Sequence, residues 1–255
     1  MPFEKIQSER VAQAIIRQIE GLILNGILHP GERLPSEREL AQRLDVSRPS
    51  LRDALAQLED RGLIETRPGA GAFVADLLGS VFATPLVGLF ASHRTALFDY
   101  LQFRRDLEGL AAERAATHAS PTDLDVISAI FAKMEAAHTQ RSPREEARLD
   151  AEFHMAIIEA SHNVVMLHMM RAMLEMLREG VFYNRQTLFS NRTTRDELLA
   201  QHRAMHDAVL ARDPMAARTA VEAHLNFVEQ EIRELDQQAT NERVARLRYA
   251  HETGQ

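Results

Sequence analysis

The sequence predicts a mainly α-helical protein in which an N-terminal winged helix-turn-helix precedes an all-α helical bundle. Two observations predict this fold class. Within the first 75 residues, three helical segments are followed by two short strand-like runs around a Gly-rich tip. Beyond that point, apolar residues recur at helical spacing along most of the chain.

Composition and charge limit the classes of function. The 255 residues include no cysteine, which excludes disulfides and thiolate metal sites and favours a reducing cytoplasm. The N-terminus is charged where a signal peptide is apolar, and no uncharged apolar run approaches ~18 residues, so we expect no membrane partner. The net charge is −7, so any DNA contact must depend on where the basic residues lie.

The predicted helices of the first segment have recognisable ends. Residues 11–26 place apolar side chains at helical spacing and end on Gly26. After a turn at Pro30-Gly31, Ser36 and Glu39 predict a capping box, in which each side chain accepts a hydrogen bond from the other residue's backbone N–H. This second helix should be short.

A third helix and a hairpin complete the predicted winged helix-turn-helix. Asp45-Val46 forms a two-residue turn, Ser47 is the N-cap of the next helix, and Gly62 ends that helix. The runs "LIETR" and "AFV" then predict two strands joined by the Gly-rich tip "PGAGA". Residues 1–75 are therefore a candidate DNA-binding domain.

Arg48 and Arg52 are the candidate base-reading residues. They lie at i and i+4 near the start of the third helix, the part of such a helix that meets the major groove, and arginine is the usual partner of guanine. Arg38 can reach phosphate or a base. The alternative is a solvated face with Arg52 partly neutralised by Asp53. Three serines offer hydroxyls and N-terminal amides to phosphate: Ser36, Ser47 and Ser50.

The remaining chain divides into three predicted segments. Residues 76–90 are a linker, residues 91–240 a helical domain, and residues 241–255 a polar tail. In the helical domain, Asp150 and His154 lie at i and i+4 and project from one helix face, beside apolar residues that indicate an inward direction. A carboxylate and an imidazole placed in this way are candidate metal ligands.

Two further histidines lie on a predicted helical hairpin. Asp213-Pro214 begins a new helix, and His202 and His224 lie at equal distances from that turn, roughly 15 Å along each helix axis. Together with Asp150 and His154 they would suit a borderline divalent ion. His206 is a competing ligand. The alternative is that these are ordinary members of a set of eleven histidines.

The segment "LPSERELAQRLDVSRPSLRDALAQLEDRGLIETRPGAGAFV" resembles the DNA-binding domain of the GntR superfamily. The helical remainder resembles the ligand-sensing domain of its FadR subfamily, and "EASHNVVMLHMM" is similar to members that repress the pyruvate-dehydrogenase complex. The resemblance implies a homodimer, a palindromic operator of the TGGT…ACCA kind and release by a small carboxylate. The residues implied to contact DNA are Arg38, Arg48 and Arg52, with a wing containing Arg67, Gly69 and Gly71.

The same resemblance implies a metal and effector site in the helical domain. Metal-binding members of the subfamily carry Asp-x3-His and two distant histidines, which match Asp150, His154, His202 and His224, with zinc as the expected ion. It also implies that Arg104 grips the effector, with pyruvate favoured first, then lactate or glycolate. An Arg104–Glu108 salt bridge is the alternative for Arg104. Asn163 either lines the pocket or caps the next helix.

Two other functions remain as hypotheses. The pairs Glu135/His138 and Glu159/His162 could supply a di-iron centre in a helical bundle, which would indicate an enzyme. Both pairs lie near expected helix ends, and an enzyme would leave the winged helix-turn-helix unexplained, so we expect a regulator and not an enzyme. The third possibility is a metal-free dimeric DNA-binding protein with no effector.

Overall fold

The computed structural model describes residues 8–76, 89–90, 93–178, 188–189 and 192–253. It divides into two units, residues 1–83 and 84–255. Most of the expected linker, residues 77–88, lies outside the described residues.

The N-terminal unit is a winged helix-turn-helix, as the sequence predicts. Its elements are α1 (Ser8–Leu24), α2 (Glu37–Arg43), α3 (Arg48–Asp60), β1 (Ile64–Arg67) and β2 (Gly71–Val74). The helices α1 and α2 pack against α3, and β1 pairs antiparallel with β2. The core forms because α1 buries residues at helical spacing, Ile15, Ile16, Ile19 and Ile23, against Leu51 and Leu58 of α3.

The capping of α2 differs from the prediction. Ser36 accepts a hydrogen bond from the backbone N–H of Glu39 at 3.3 Å, as expected. The carboxylate of Glu39 instead accepts a hydrogen bond from Arg43, one turn later, at 2.7 Å. Only one half of the predicted capping box is therefore present, because a charged partner at i+4 competes for the glutamate.

The second unit is all-helical within its described residues, again as predicted. Its helices are α4 (Arg94–His118), α5 (Pro121–Gln140), α6 (Pro143–Ala160), α7 (Val164–Arg178), α8 (Arg192–Leu210) and α9 (Pro214–Thr253). No described helix is long and apolar enough to cross a membrane.

The hairpin of α8 and α9 positions two of the candidate metal ligands. Asp213 caps α9 by accepting a hydrogen bond from the backbone N–H of Ala216 at 3.0 Å, and Pro214 begins the helix. The two helices pack against each other, and α9 also packs along α4. Gly109 allows close approach to α4, because a Cβ at this position would lie 3.3 Å from Glu222 Cγ.

The C-terminal part of α9 is exposed. The helix continues to Thr253, through most of the expected polar tail, residues 241–255. Side chains 237–249 are all exposed, whereas Ile232 is the last buried residue of the helix.

Candidate functional site

The start of α3 presents the predicted DNA-reading residues. Ser47 is its N-cap and accepts a hydrogen bond from the backbone N–H of Ser50 at 3.3 Å. The side chains of Arg48 and Arg52 are 59% and 64% exposed, and Arg38 on α2 is also exposed. All of these groups are therefore accessible to a nucleic acid.

Glu37 is the ionic partner of both arginines on α3. Its Oε2 lies 2.7 Å from Arg52 Nε and 3.8 Å from Arg48 Nη2. The sequence offered Asp53 as the neutralising residue for Arg52, but the close contact comes from the preceding helix. Glu37 therefore favours one direction of the Arg52 guanidinium across the helix-turn-helix.

The wing ends in a tip that requires glycine. Gly69 has φ 72° and Gly71 has φ 101°, conformations that residues with a side chain rarely adopt. Arg67 precedes the tip and pairs with Gly71 in the strand register. Its guanidinium lies 4.3 Å from the ring centroid of Phe73 and is hydrogen-bonded to Glu65. The basic side chain is thus held against the wing.

The second unit brings the four predicted metal ligands together. Asp150 and His154 come from α6, His202 from α8 and His224 from α9, and all four are buried. One ligand atom from each lies within 4.8 Å of the others. Among the described residues this is the one cluster of at least three such side chains that could hold an ion.

The neighbours of the three Nδ1 atoms indicate which nitrogen of each imidazole faces the cluster. Nδ1 of His202 lies 2.7 Å from the carbonyl oxygen of Leu198, and Nδ1 of His224 lies 3.0 Å from Oε1 of Gln201. Nδ1 of His154 lies 2.6 Å from the carboxylate of Glu108. Each partner atom is an acceptor, so each Nδ1 carries the hydrogen and each Nε2 keeps its lone pair.

The lone pairs on Nε2 suit a metal ion. His202 Nε2 lies 3.1 Å and His154 Nε2 3.8 Å from Asp150 Oδ1. Both nitrogens are buried, and neither has a partner with hydrogen-bond geometry among the described residues, which is costly unless a ligand satisfies them. An outer acceptor on Nδ1 with an inward Nε2 is the usual arrangement of metal-binding histidines.

The environment also keeps two of the imidazoles, His154 and His224, in the form that binds metals. Burial lowers the pKa of His154, although the neighbouring Glu108 acts in the opposite direction. Burial and the neighbouring His202 and His154 lower the pKa of His224 well below its usual value. His154 and His224 are therefore neutral near neutral pH, and neutral imidazole is the ligand form.

A cavity of about 240 Å³, including its opening to solvent, adjoins the cluster. Its polar lining comes from Arg104, Asp150 and His224, and its apolar lining from Leu188, Phe189, Leu198 and Val228. One cationic group beside the candidate metal ligands can recognise a small carboxylate.

Arg104 also makes the ion pair that the sequence offered as its alternative role. Its Nε donates a hydrogen bond to Glu108 Oε1 at 2.6 Å, and both side chains are almost fully buried. Burial by itself would raise the pKa of Glu108, but Arg104 and His154 together lower it to about 2. Glu108 is therefore ionised, and the pair lies in the interior and not on a solvated helix face.

Other predicted site residues lie elsewhere. Asn163 accepts a hydrogen bond from the backbone N–H of Met166 at 3.1 Å, which is the capping role, and it does not line the cavity. His206 stacks on Phe131 and contacts Ser128, outside the cluster.

The four residues of the di-iron hypothesis do not converge. Glu135 binds Arg203, and His138 faces Asp196 at 3.1 Å. Glu159 binds Arg171 on α7, and His162 binds Asp123 on α5. These side chains have separate partners, which leaves the di-iron hypothesis without a site.

Sequence reasoning missed three residues that orient the site. Glu37 and Gln201 were not singled out, and Glu108 was considered only as a helical salt-bridge partner. Glu37 lies between Ser36 and Arg38, and Gln201 directly precedes His202, so adjacency to predicted site residues was the available signal. Their contacts cross between helices, which spacing along one helix does not indicate.

Comparisons with known proteins agree with the two units. Residues 11–74 match the family model "Bacterial regulatory proteins, gntR family", and residues 99–227 match "FCD domain". A solved structure described as "Streptococcus agalactiae GntR" has a TM-score of 0.52 at 24% identity, covering 86% of this chain and 99% of that chain, which indicates a shared fold.

Two curated relatives from Escherichia coli strain K12 match almost end to end. The "Glc operon transcriptional activator" is 34% identical over 235 residues, covering 91% of this chain and 92% of its own length. The "Putative L-lactate dehydrogenase operon regulatory protein" is 36% identical over 247 residues, covering 95% of this chain and 94% of its own length. Since both domains and these relatives agree, the chain belongs to the gntR family of bacterial transcriptional regulators, in its FadR-type branch with an FCD domain, and is not an enzyme.

Proposed function

We propose that this regulator binds a palindromic operator as a homodimer and changes its affinity for DNA when a small carboxylate enters a metal-containing pocket in the helical unit. The observation that carries the proposal is the buried group of Asp150, His154, His202 and His224 beside a cavity that Arg104 also lines. A pocket with these groups supports a sensor of small acids.

The DNA contacts are assigned to the winged unit. Arg48 and Arg52 read base edges in the major groove, and Arg38 contacts a base or phosphate. Ser36, Ser47 and Ser50 contribute phosphate contacts, and the wing with Arg67, Gly69 and Gly71 enters the minor groove. Each protomer of the dimer contacts one half-site.

A single divalent ion is held by Asp150, His154, His202 and His224. Three imidazoles with one carboxylate favour zinc among the common biological ions. When bound, the ion supplies a Lewis-acidic site for an oxygen atom of the effector. Arg104 pairs with the effector's carboxylate, and the apolar lining of the cavity limits its size.

The effector is a small 2-hydroxy or 2-oxo acid. The sequence favours pyruvate before lactate or glycolate, but the relative named for the L-lactate dehydrogenase operon moves L-lactate to first place. We propose repression relieved by the acid. Because the other relative is named as an activator, an acid that strengthens operator binding would reverse this direction without removing the pocket.

Elemental analysis and a thermal-unfolding screen test the proposal. The purified protein should contain about one zinc ion per chain, and L-lactate, pyruvate or glycolate should raise its unfolding temperature. At 100 times its dissociation constant, such a ligand adds about 2.7 kcal/mol to the free energy of unfolding. A metal-free protein that is indifferent to all three acids would instead indicate a DNA-binding protein without an effector.

A further inference from the structure

Glu108 occupies an unusual position among the buried side chains of the helical unit. Its two carboxylate oxygens are divided between two partners: Oε1 accepts a hydrogen bond from Arg104 Nε at 2.6 Å, and Oε2 lies 2.6 Å from His154 Nδ1. One partner is the proposed anchor for the effector, and the other is a proposed metal ligand. The three side chains are 2–3% exposed.

The partners of the other two ligand histidines are neutral. His202 faces the carbonyl of Leu198, and His224 faces the amide oxygen of Gln201. The amide nitrogen of Gln201 donates to Glu197, which leaves its oxygen for His224. His154 is therefore the one described ligand histidine whose outer partner is a carboxylate. A charged acceptor makes the stronger hydrogen bond and increases the basicity of the imidazole.

We propose that Glu108 is a positioning residue that joins the two halves of the pocket, holding His154 with Nε2 towards the ion and holding Arg104 for the carboxylate of the acid. This inference rests on the proposed function, and it adds that ion and acid are recognised through one shared carboxylate. The reason is hydrogen-bond chemistry: an ionised carboxylate accepts from both neighbours, whereas an amide of the same shape has one accepting oxygen.

The substitution Glu108→Gln tests this assignment. The amide nitrogen of the glutamine would face either Arg104 Nε–H or His154 Nδ1–H, so two hydrogen-bond donors would oppose each other. His154 can avoid this conflict only by moving its hydrogen from Nδ1 to Nε2, which removes the lone pair that would bind the ion. We therefore expect zinc affinity, measured by competition with a chromogenic chelator, to fall about 10–100-fold. We also expect L-lactate to stabilise the zinc-loaded variant less than it stabilises zinc-loaded wild type.

Glu146→Gln is the matched control. Glu146 is also buried and forms a bidentate pair with Arg195, but among the described residues its carboxylate makes no hydrogen bond or ion pair with a proposed ligand side chain. The control should lose stability and keep wild-type zinc affinity. Wild-type zinc affinity in Glu108→Gln, or an equal loss in both variants, would overturn the assignment.

A measurement on the wild type covers the case in which Glu108→Gln does not fold. Nitrogen-15 NMR of the metal-free protein should show His154 as the neutral tautomer with hydrogen on Nδ1, and hydrogen on Nε2 would refute the role of Glu108. If wild type bound neither zinc nor cobalt, the proposed metal function would fail together with the inference. If wild type bound zinc and Glu108→Gln bound it with the same affinity, the role of Glu108 would be refuted and the proposed metal function would stand.

Discussion

Glu37 and Glu108 have comparable roles in the two units, since each carboxylate contacts arginine that we expect to face a ligand. The contacts differ in environment. Arg52 and Glu37 are 64% and 39% exposed, whereas Arg104 and Glu108 are 2% and 3% exposed. An exposed pair contributes about 0–1 kcal/mol and exchanges readily. A buried pair has lost its hydration and depends on its partner.

Replacing the arginines of α3 tests the recognition helix. We expect Arg48→Ala and Arg52→Ala each to cost about 1–3 kcal/mol of operator binding and to relax specificity at one base pair. Arg61→Ala, at the C-terminal end of α3, is the control because Arg61 pairs with Glu20 on α1. Fluorescence anisotropy with a series of single-base operator variants measures both effects. Unchanged binding by either α3 variant would contradict the assignment.

Replacing Glu37 should separate affinity from specificity. In Glu37→Gln the charge near Arg48 and Arg52 becomes more positive, so binding to unrelated DNA should strengthen. Because Arg52 also loses the contact that favours one direction of its guanidinium, the ratio of operator to non-operator affinity should fall. Glu39→Gln, on the same helix but paired with Arg43, should leave that ratio unchanged. A preserved ratio in Glu37→Gln would refute an orienting role.

At the level of elements, the hairpin of α8 and α9 explains why one part of the site was predictable. His202 and His224 are separated from the turn at Asp213-Pro214 by equal numbers of residues, which places them at the same height along the two antiparallel helices. Their ring centroids lie 4.5 Å apart. Helix periods and caps are local, so the fold class also followed from the sequence.

Other parts of the site were not predictable from local patterns. An Arg-x3-Glu pair has the same spacing whether it is solvated or buried, so the environment of Arg104 and Glu108 depends on helices far along the chain. Similarly, the capping box at Ser36 failed because Arg43 competes for Glu39, and local spacing allows both outcomes.

Loss of one ligand should loosen three helices. We expect His202→Ala to reduce zinc content and to lose most of the rise in unfolding temperature that zinc gives wild type, because the ion connects α6, α8 and α9. His206→Ala, one turn later on α8, should behave as wild type towards zinc. Calorimetry with and without a chelator measures the difference. Full zinc retention in both His202→Ala and His224→Ala would exclude this site.

At the level of the whole molecule, two functions reside in separate units of an acidic chain. A net charge of −7 disfavours general attraction to DNA, so binding depends on the few groups of the winged unit. An acid bound in the helical unit changes DNA affinity only if it binds one state of the protein better than another.

Titration of operator binding measures this coupling. Adding L-lactate to the zinc-loaded full chain should weaken operator binding about 5–150-fold, the range that corresponds to 1–3 kcal/mol. Arg104→Ala should respond far less, whereas Arg105→Ala should respond normally, since Arg105 contacts Asn226 away from the cavity. An unchanged response in Arg104→Ala would refute the effector contact, and no response to any small acid in wild type would refute the pocket mechanism.

The composition of the proposed metal site has a consequence for stress responses. Its ligands are three imidazoles and a carboxylate, and the chain contains no cysteine. Peroxide releases zinc from many proteins by oxidising thiolates, a route that this ligand set does not offer. Protons compete directly with the ion for the imidazoles, however, and acidification converts them to non-ligating cations. Because burial lowers the pKa of His154 and His224, we expect acid to displace the ion only well below neutral pH, and an oxidative burst to leave the metal in place.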